Sequence, residues 1–352
     1  MALTPRGKAV VIGVAVVAML TVGVGAMALT GHDPIHAITG ALHLTKSAPP
    51  TCPLTGKPLP GGKNPPHHPV LAVKVENTSG AYPLVGLDKA DIVYEEVVEG
   101  GITRFAAVFD CGSAPRVGPV RSARTTDPKI LLPFSRHPLL AFSGASGQVL
   151  HLVKAAGVVE MVEGAPAPPF TRDPARAVPH NLFANTSKLW AAAQKLTTDH
   201  APPRPVFSYD TAVPKPSKKG LSATIVFSGL ATADWRWQGG RYVRYVNDSP
   251  MKLENGAPIA TDNVVIQQVK TTQSTLHDVL GYPSPEVSMT GTGKAWVLRD
   301  GRLIAGTWSR GGLGDATVFK TKSGATIDLK PGTTYVELAP TGMFNATITF
   351  HS

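Results

Sequence analysis

The stretch Asp91–Arg124, DIVYEEVVEGGITRFAAVFDCGSAPRVGPVRSAR, decides how this chain is read. Two runs rich in β-branched and aromatic residues meet at Gly100-Gly101, the pattern of a β-hairpin. Both runs carry charges inside their apolar pattern: Asp91, Glu95, Glu96 and Glu99 on the first, Arg104 and Asp110 on the second. Arg116, Arg121 and Arg124 follow on a segment punctuated by glycine and proline. Charges set this close to a strand pair must reach solvent, pair with one another or bind something, because an unpaired buried charge is strongly destabilising.

Working outward, Val70–Glu76 alternates, with Leu71, Val73 and Val75 on one face and Lys74 and Glu76 on the other, which predicts a strand with one buried face. Asp127-Pro128 opens a short helix that Pro133 limits. Leu139–Phe142 reads as a strand, and Gln148–Ala156 as a helix closed by Gly157. Val158–Val162 is another strand, and Asn185 caps a further helix reaching Leu196. This interleaving makes residues 69–201 an α/β or α+β N-terminal domain. Residues 202–220, rich in proline and lysine, read as a linker. From 221 to 352 short strand-like runs alternate with turn signals such as Gly239-Gly240, Asn255-Gly256 and Asp300-Gly301. The expectation there is a smaller all-β C-terminal module, a barrel or a sandwich.

The chain begins with Arg6 and Lys8 before an uncharged apolar run, Ala9–Leu29. About 20 such residues suffice to span a bilayer, with the positive flank kept in the cytoplasm. Residues 1–30 therefore read as a single N-terminal hydrophobic helix, a signal anchor; a cleaved signal peptide is the other reading, given Ala26-Met27-Ala28. Residues 31–68, rich in Pro, Gly and His, read as a spacer. His36, His43, His67 and His68 lack further ligands at metal-binding spacing, so neither a metal nor a cofactor is expected.

The net charge of +10 suits an anionic partner. Export to the outside of the cell membrane removes nucleic acid from the choices and leaves wall polymer or membrane. Only two cysteines are present, Cys52 and Cys111, without C-x-x-C spacing. Outside the cell they read as one disulfide, with two unpaired thiols as the other possibility.

The segments ADIVYEEVVEGGITRF (Ala90–Phe105), VGPVRSAR (Val117–Arg124) and PHNLF (Pro179–Phe183) resemble the YerB-like family of bacterial extracytoplasmic proteins, as do NGAPIATDNVV (Asn255–Val265) and GKAWVLRDGRLIAGTWSR (Gly293–Arg310). The resemblance implies a two-part architecture built on a domain of unknown function, and no established activity. Many members of that family are lipoproteins; this chain lacks a lipobox and offers the apolar helix instead.

Catalytic templates do not fit. Gly144-Ala145-Ser146-Gly147 misses the G-x-S-x-G spacing, and no H-E-x-x-H occurs. Arg104, Arg121 and Arg124 form a donor set suited to phosphate or carboxylate, since guanidinium forks bind both bidentately. Glu95, Glu99, His180 and Asn181 are expected to complete a pocket around them. The competing structural explanation is that the glutamates simply neutralise the arginines across the hairpin. Were there chemistry, His180 would serve as general base with Glu99 or Glu95 behind it. Trp235, Trp237, Trp296 and Trp308 are expected to fill a core rather than stack on sugars. The expected function is an anchored, extracytoplasmic cell-envelope protein that binds an anionic wall component or a wall-synthesis partner. The alternative is a hydrolase or transferase acting on phosphate- or carboxylate-bearing envelope material.

Overall fold

The computed structural model describes residues 49–164, 169–278 and 281–352. The apolar leader, with its expected anchor helix, and residues 31–48 of the spacer lie outside the described residues. Among the described residues no helix is long and apolar enough to cross a membrane.

In chain order the first half contributes β1 (Leu71–Asn77), β2 (Ile92–Val97), β3 (Thr103–Phe109), α1 (Thr126–Leu131), β4 (Leu139–Phe142), α2 (Gly147–Ala155), β5 (Val159–Val162), β6 (Phe170–Arg172), β7 (Leu182–Ala184) and α3 (Thr186–Ala193). The second half contributes β8 (Lys218–Lys219), β9 (Ser222–Ser228), β10 (Ala231–Gln238), β11 (Arg241–Val246), β12 (Ser249–Pro250), β13 (Ala260–Thr261), β14 (Asn263–His277), β15 (Pro283–Val287), β16 (Gly291–Arg299), β17 (Arg302–Arg310), β18 (Val318–Thr321), β19 (Thr334–Gly342) and β20 (Thr347–His351).

The hairpin forms where the sequence places it. β2 and β3 pair antiparallel, from Ile92 opposite Val108 to Val97 opposite Thr103. Gly100 and Gly101 turn the chain at φ of 71° and 80°, a region that side chains with a Cβ disfavour. β1 joins the other side of β3, from Leu71 opposite Phe109 to Asn77 opposite Thr103. The helices are also close to expectation. Ser146 caps α2 by accepting from Val149 N, and Asn185 caps α3 by accepting from Lys188 N.

The second half departs from expectation. It does not close into a barrel of its own. β14, β15, β16, β17, β18 and β19 continue the N-terminal sheet; ten of its twelve strands run in the order β18-β17-β16-β14-β19-β2-β3-β1-β4-β5, with β15 paired to β14 and β8 to β17. The seam is a parallel pair in which β19 runs beside β2, Thr334 opposite Ile92 and Glu337 opposite Glu95. The remaining C-terminal strands make a six-stranded sheet ordered β12-β11-β10-β9-β20, with β13 paired to β11. The segment expected as a linker contributes β8, which pairs with β17.

The large sheet is covered on both faces. On one, Val73, Val93 and Phe105 pack with Ile225, Phe227 and Trp235 of the small sheet. On the other, Ala72, Ile92 and Val108 pack with Ile130 and Leu131 of α1 and Val149 and Val153 of α2. β1 therefore has two buried faces rather than one, and Lys74 is fully buried. It is neutralised there by Glu96 and by Asp127, whose Oδ1 is 2.8 Å from Lys74 Nζ. Trp235 and Trp308 are core residues, and Trp237 and Trp296 pack partly buried against the core.

Candidate functional site

Strand alternation sorts the charged residues of the hairpin onto opposite faces of the sheet. Glu95 faces the small sheet, where Arg244 of β11 donates to it through Nη1 at 2.7 Å and Nη2 at 3.2 Å. Glu337 of β19 joins the pair, accepting from Arg244 Nη1 at 3.2 Å and from Trp235 Nε1 at 2.7 Å. Burial, and then the Glu95 charge, raise the Glu337 carboxyl well above its ordinary range. That direction favours the protonated form of Glu337 beside the Glu95–Arg244 pair. Expected as a pocket residue, Glu95 is instead part of a closed internal ion pair, 0% exposed.

Arg104 projects to the other face and lines a cleft of about 600 Å³ with Glu99, Arg121, Arg124, Ser143 and Ser146. The segment carrying Arg121 and Arg124 is pinned in place by backbone bonds. Arg121 N donates to Lys74 O at 2.9 Å, and Ser143 N donates to Arg121 O at 3.1 Å. The serines come from the loop between β4 and α2; Ser146, set aside as a nucleophile on spacing, is the cap of α2.

The three arginines are not equivalent. Arg124 is held by Glu99, to which both Nε and Nη2 donate, and Ser284 Oγ donates to the other Glu99 oxygen at 2.5 Å. Burial alone would raise the Glu99 carboxyl, but Arg124 and Ser284 outweigh it and the net shift is downward. Arg121 sits with its Nε 3.8 Å from Glu76 Oε2 and donates to Pro179 O at 3.3 Å. Among the described residues its buried Nε has no hydrogen-bond partner within bonding distance. Arg104 is 7% exposed, donates only to Ser122 O at 3.4 Å among the described residues, and forms no ion pair there. Burial, then the like charges of Arg124 and Arg121, push its guanidinium down to about 10, so it stays cationic at neutral pH. Asp278 and His277 also line the cleft; Asp278 accepts from Tyr282 N at 2.9 Å.

His180 does not meet Glu99 or Glu95 as expected. Its Nδ1 lies 2.8 Å from Glu76 Oε2, a residue that the sequence pattern puts on a strand face and not in the site. Asn181 is turned away, its Oδ1 accepting from Arg172 Nη1 at 2.8 Å. Sequence reasoning misses Glu76, Ser143, Ser146 and Ser284. Of these only Glu76 leaves a signal, as a charge in register with Lys74 on an otherwise apolar strand. Cys52 and Cys111 are joined as a disulfide with Cα atoms 6.1 Å apart. Among the described residues they form, with Asp110, a cluster of potential metal ligands, but both sulfurs are occupied by the bond.

Two profiles of one family match in tandem: the N-terminal domain of the protein of unknown function DUF3048 over residues 54–199, and its C-terminal domain over 223–336. The chain belongs to the DUF3048 family. A DUF3048 relative, YerB of Bacillus subtilis (strain 168), whose name provisionally assigns it as a lipoprotein, is 24% identical over 292 residues, 77% of this chain and 81% of that protein. The crystal structure of Bacillus subtilis YerB is similar in fold, with a TM-score of 0.70 at 24% identity, covering 85% of this chain and 99% of that one.

Proposed function

We propose that this DUF3048 protein acts outside the cell membrane, in the envelope, and that its arginine cleft binds a phosphate- or carboxylate-bearing wall component. The observation that carries the reading is Arg104. A buried guanidinium that lines an open cleft, pairs with no carboxylate and lies close to two further arginines is poised for an incoming anion. Arg121, which lines the same cleft, supplies a second guanidinium from the facing segment. The apolar leader and the net charge of +10 support a place at the membrane and an anionic partner. So does the lipoprotein name borne by the relative YerB.

Binding is preferred over hydrolysis or group transfer on geometric grounds. His180, the side chain expected to act as base, is not among the residues lining the cleft. The test is calorimetric titration of the purified full chain with inorganic phosphate and pyrophosphate at low and high ionic strength. Saturable binding that weakens with salt and is lost in Arg104→Ala is the expected result. No binding at low salt would overturn the reading.

A further inference from the structure

A second cleft, of about 640 Å³, lies on the opposite side of the hairpin tip, and the two share one lining residue, Ile102. The chain passes from one cleft to the other in consecutive residues: Thr103 lines the second, Arg104 the arginine cleft. The chemistry of the second cleft is different. Its walls carry Thr78, Tyr82, Thr224, Thr232 and Asn247, side chains with hydroxyl and carboxamide groups. Its acids are already matched, Arg236 Nη2 donating to Asp234 and to Asp248 at 2.6 Å each. No arginine or lysine lines it. Such a surface offers neutral donors and acceptors to a hydroxyl-rich chain and nothing to a second phosphate.

We infer that the ligand is a phosphorylated glycan that straddles the hairpin tip, its anionic group in the arginine cleft and its sugar units passing over Ile102 into the second cleft. This rests on the anion-binding reading above and extends it. A compact anion occupies one cleft only; two clefts on opposite sides of a hairpin, meeting at one rim residue, suit an extended chain. The gain comes from linking two modest contacts in one molecule.

The experiment compares two probes of equal charge, a hexose 1-phosphate and a tetrasaccharide 1-phosphate, with inorganic phosphate as reference, on the full chain. The tetrasaccharide phosphate should bind roughly tenfold more tightly than the hexose phosphate. Thr232→Trp, an exposed strand position in the second cleft, should erase that difference while leaving the affinity for inorganic phosphate unchanged. Equal affinity for the two sugar phosphates in the wild type overturns the inference and leaves the anion site standing. A length preference that survives Thr232→Trp overturns it too. Failure of inorganic phosphate itself to bind would instead sink the underlying reading.

Discussion

Arg124 holds Glu99 through two guanidinium nitrogens, Nε at 2.7 Å and Nη2, both on the same carboxylate oxygen. That contact pairs Arg124 directly with a carboxylate, whereas the neighbouring Arg104 forms no ion pair among the described residues and feels Glu99 and Glu76 only at longer range. The two residues should consequently answer to mutation in opposite ways.

Arg124→Ala leaves the largely buried Glu99 carboxylate with Ser284 alone and should cost about 1–3 kcal/mol of stability. Arg104→Ala deprives no carboxylate of its partner and relieves repulsion from Arg121 and Arg124. Its stability should stay within about 1 kcal/mol of the wild type, while phosphate affinity falls by roughly tenfold or more. Urea denaturation and calorimetry on the same samples separate the two effects.

On the other face, Arg244→Met strands Glu95 without a counter-ion and should cost about 3–5 kcal/mol. Glu337→Gln should be far milder, since burial and Glu95 both favour the protonated carboxyl and the amide retains an acceptor for Trp235. Equal losses in the two variants would show that Glu337 is ionised in the folded protein.

Asp110 N donates to Asp91 Oδ2 at 2.7 Å, so two buried aspartates lie together beside the disulfide. Burial and then the Asp91 charge push Asp110 up to about 7. Burial, against several backbone N–H donors, takes Asp91 up to about 6. The folded state thus holds these protons more tightly than the unfolded chain, whose aspartates titrate near about 3.9. Their stabilisation is complete below about pH 4 and is lost as pH rises through about 6 to 7. His68, 3.9 Å from Asp110 and lowered by burial, has the opposite slope. The diagnostic quantity is therefore a difference between two proteins. Asp110→Asn should gain stability relative to the wild type as pH rises from about 4 to about 7, as read from urea midpoints. A pH-independent difference would refute the assignment.

The Cys52–Cys111 bond ties the segment before β1 to the residues just after β3, closing a loop of 59 residues in sequence separation. Its replacement by Cys52→Ser with Cys111→Ser should cost about 2–5 kcal/mol. Reductant should lower the melting temperature of the wild type and leave that of the double variant unmoved.

How much of the molecule is legible in its sequence depends on the range of the interactions. The hairpin, the capped helices and the recurring strands of the second half are encoded within a few residues, by Gly100-Gly101, Ser146, Asn185 and the alternation around them. The convergence of Arg104, Arg121 and Arg124 is legible because all three fall within the one stretch Asp91–Arg124. The pairing of β19 with β2 is not. A parallel partner far along the chain leaves no local mark, and without it the second half reads as a separate barrel. Glu95 and Glu99 look alike as neighbouring acids beside the turn. Strand pleat sends the first under the small sheet, whereas the turn at Gly100 carries the second to the cleft. His180 meets a different acid from the one expected for a related reason, since a loop far from β1 supplies it to Glu76.

The seam between β2 and β19 has a consequence for biogenesis. During synthesis, β2 emerges early and its neighbouring strand is among the last to arrive. Until then the nascent sheet carries an open margin, apolar on both sides and receptive to any other extended chain. Neither half should therefore fold as a self-sufficient building block. Truncation within β19 or fusion of the first half to a foreign module should yield material that associates through that margin, and the two family segments should travel through evolution as one gene.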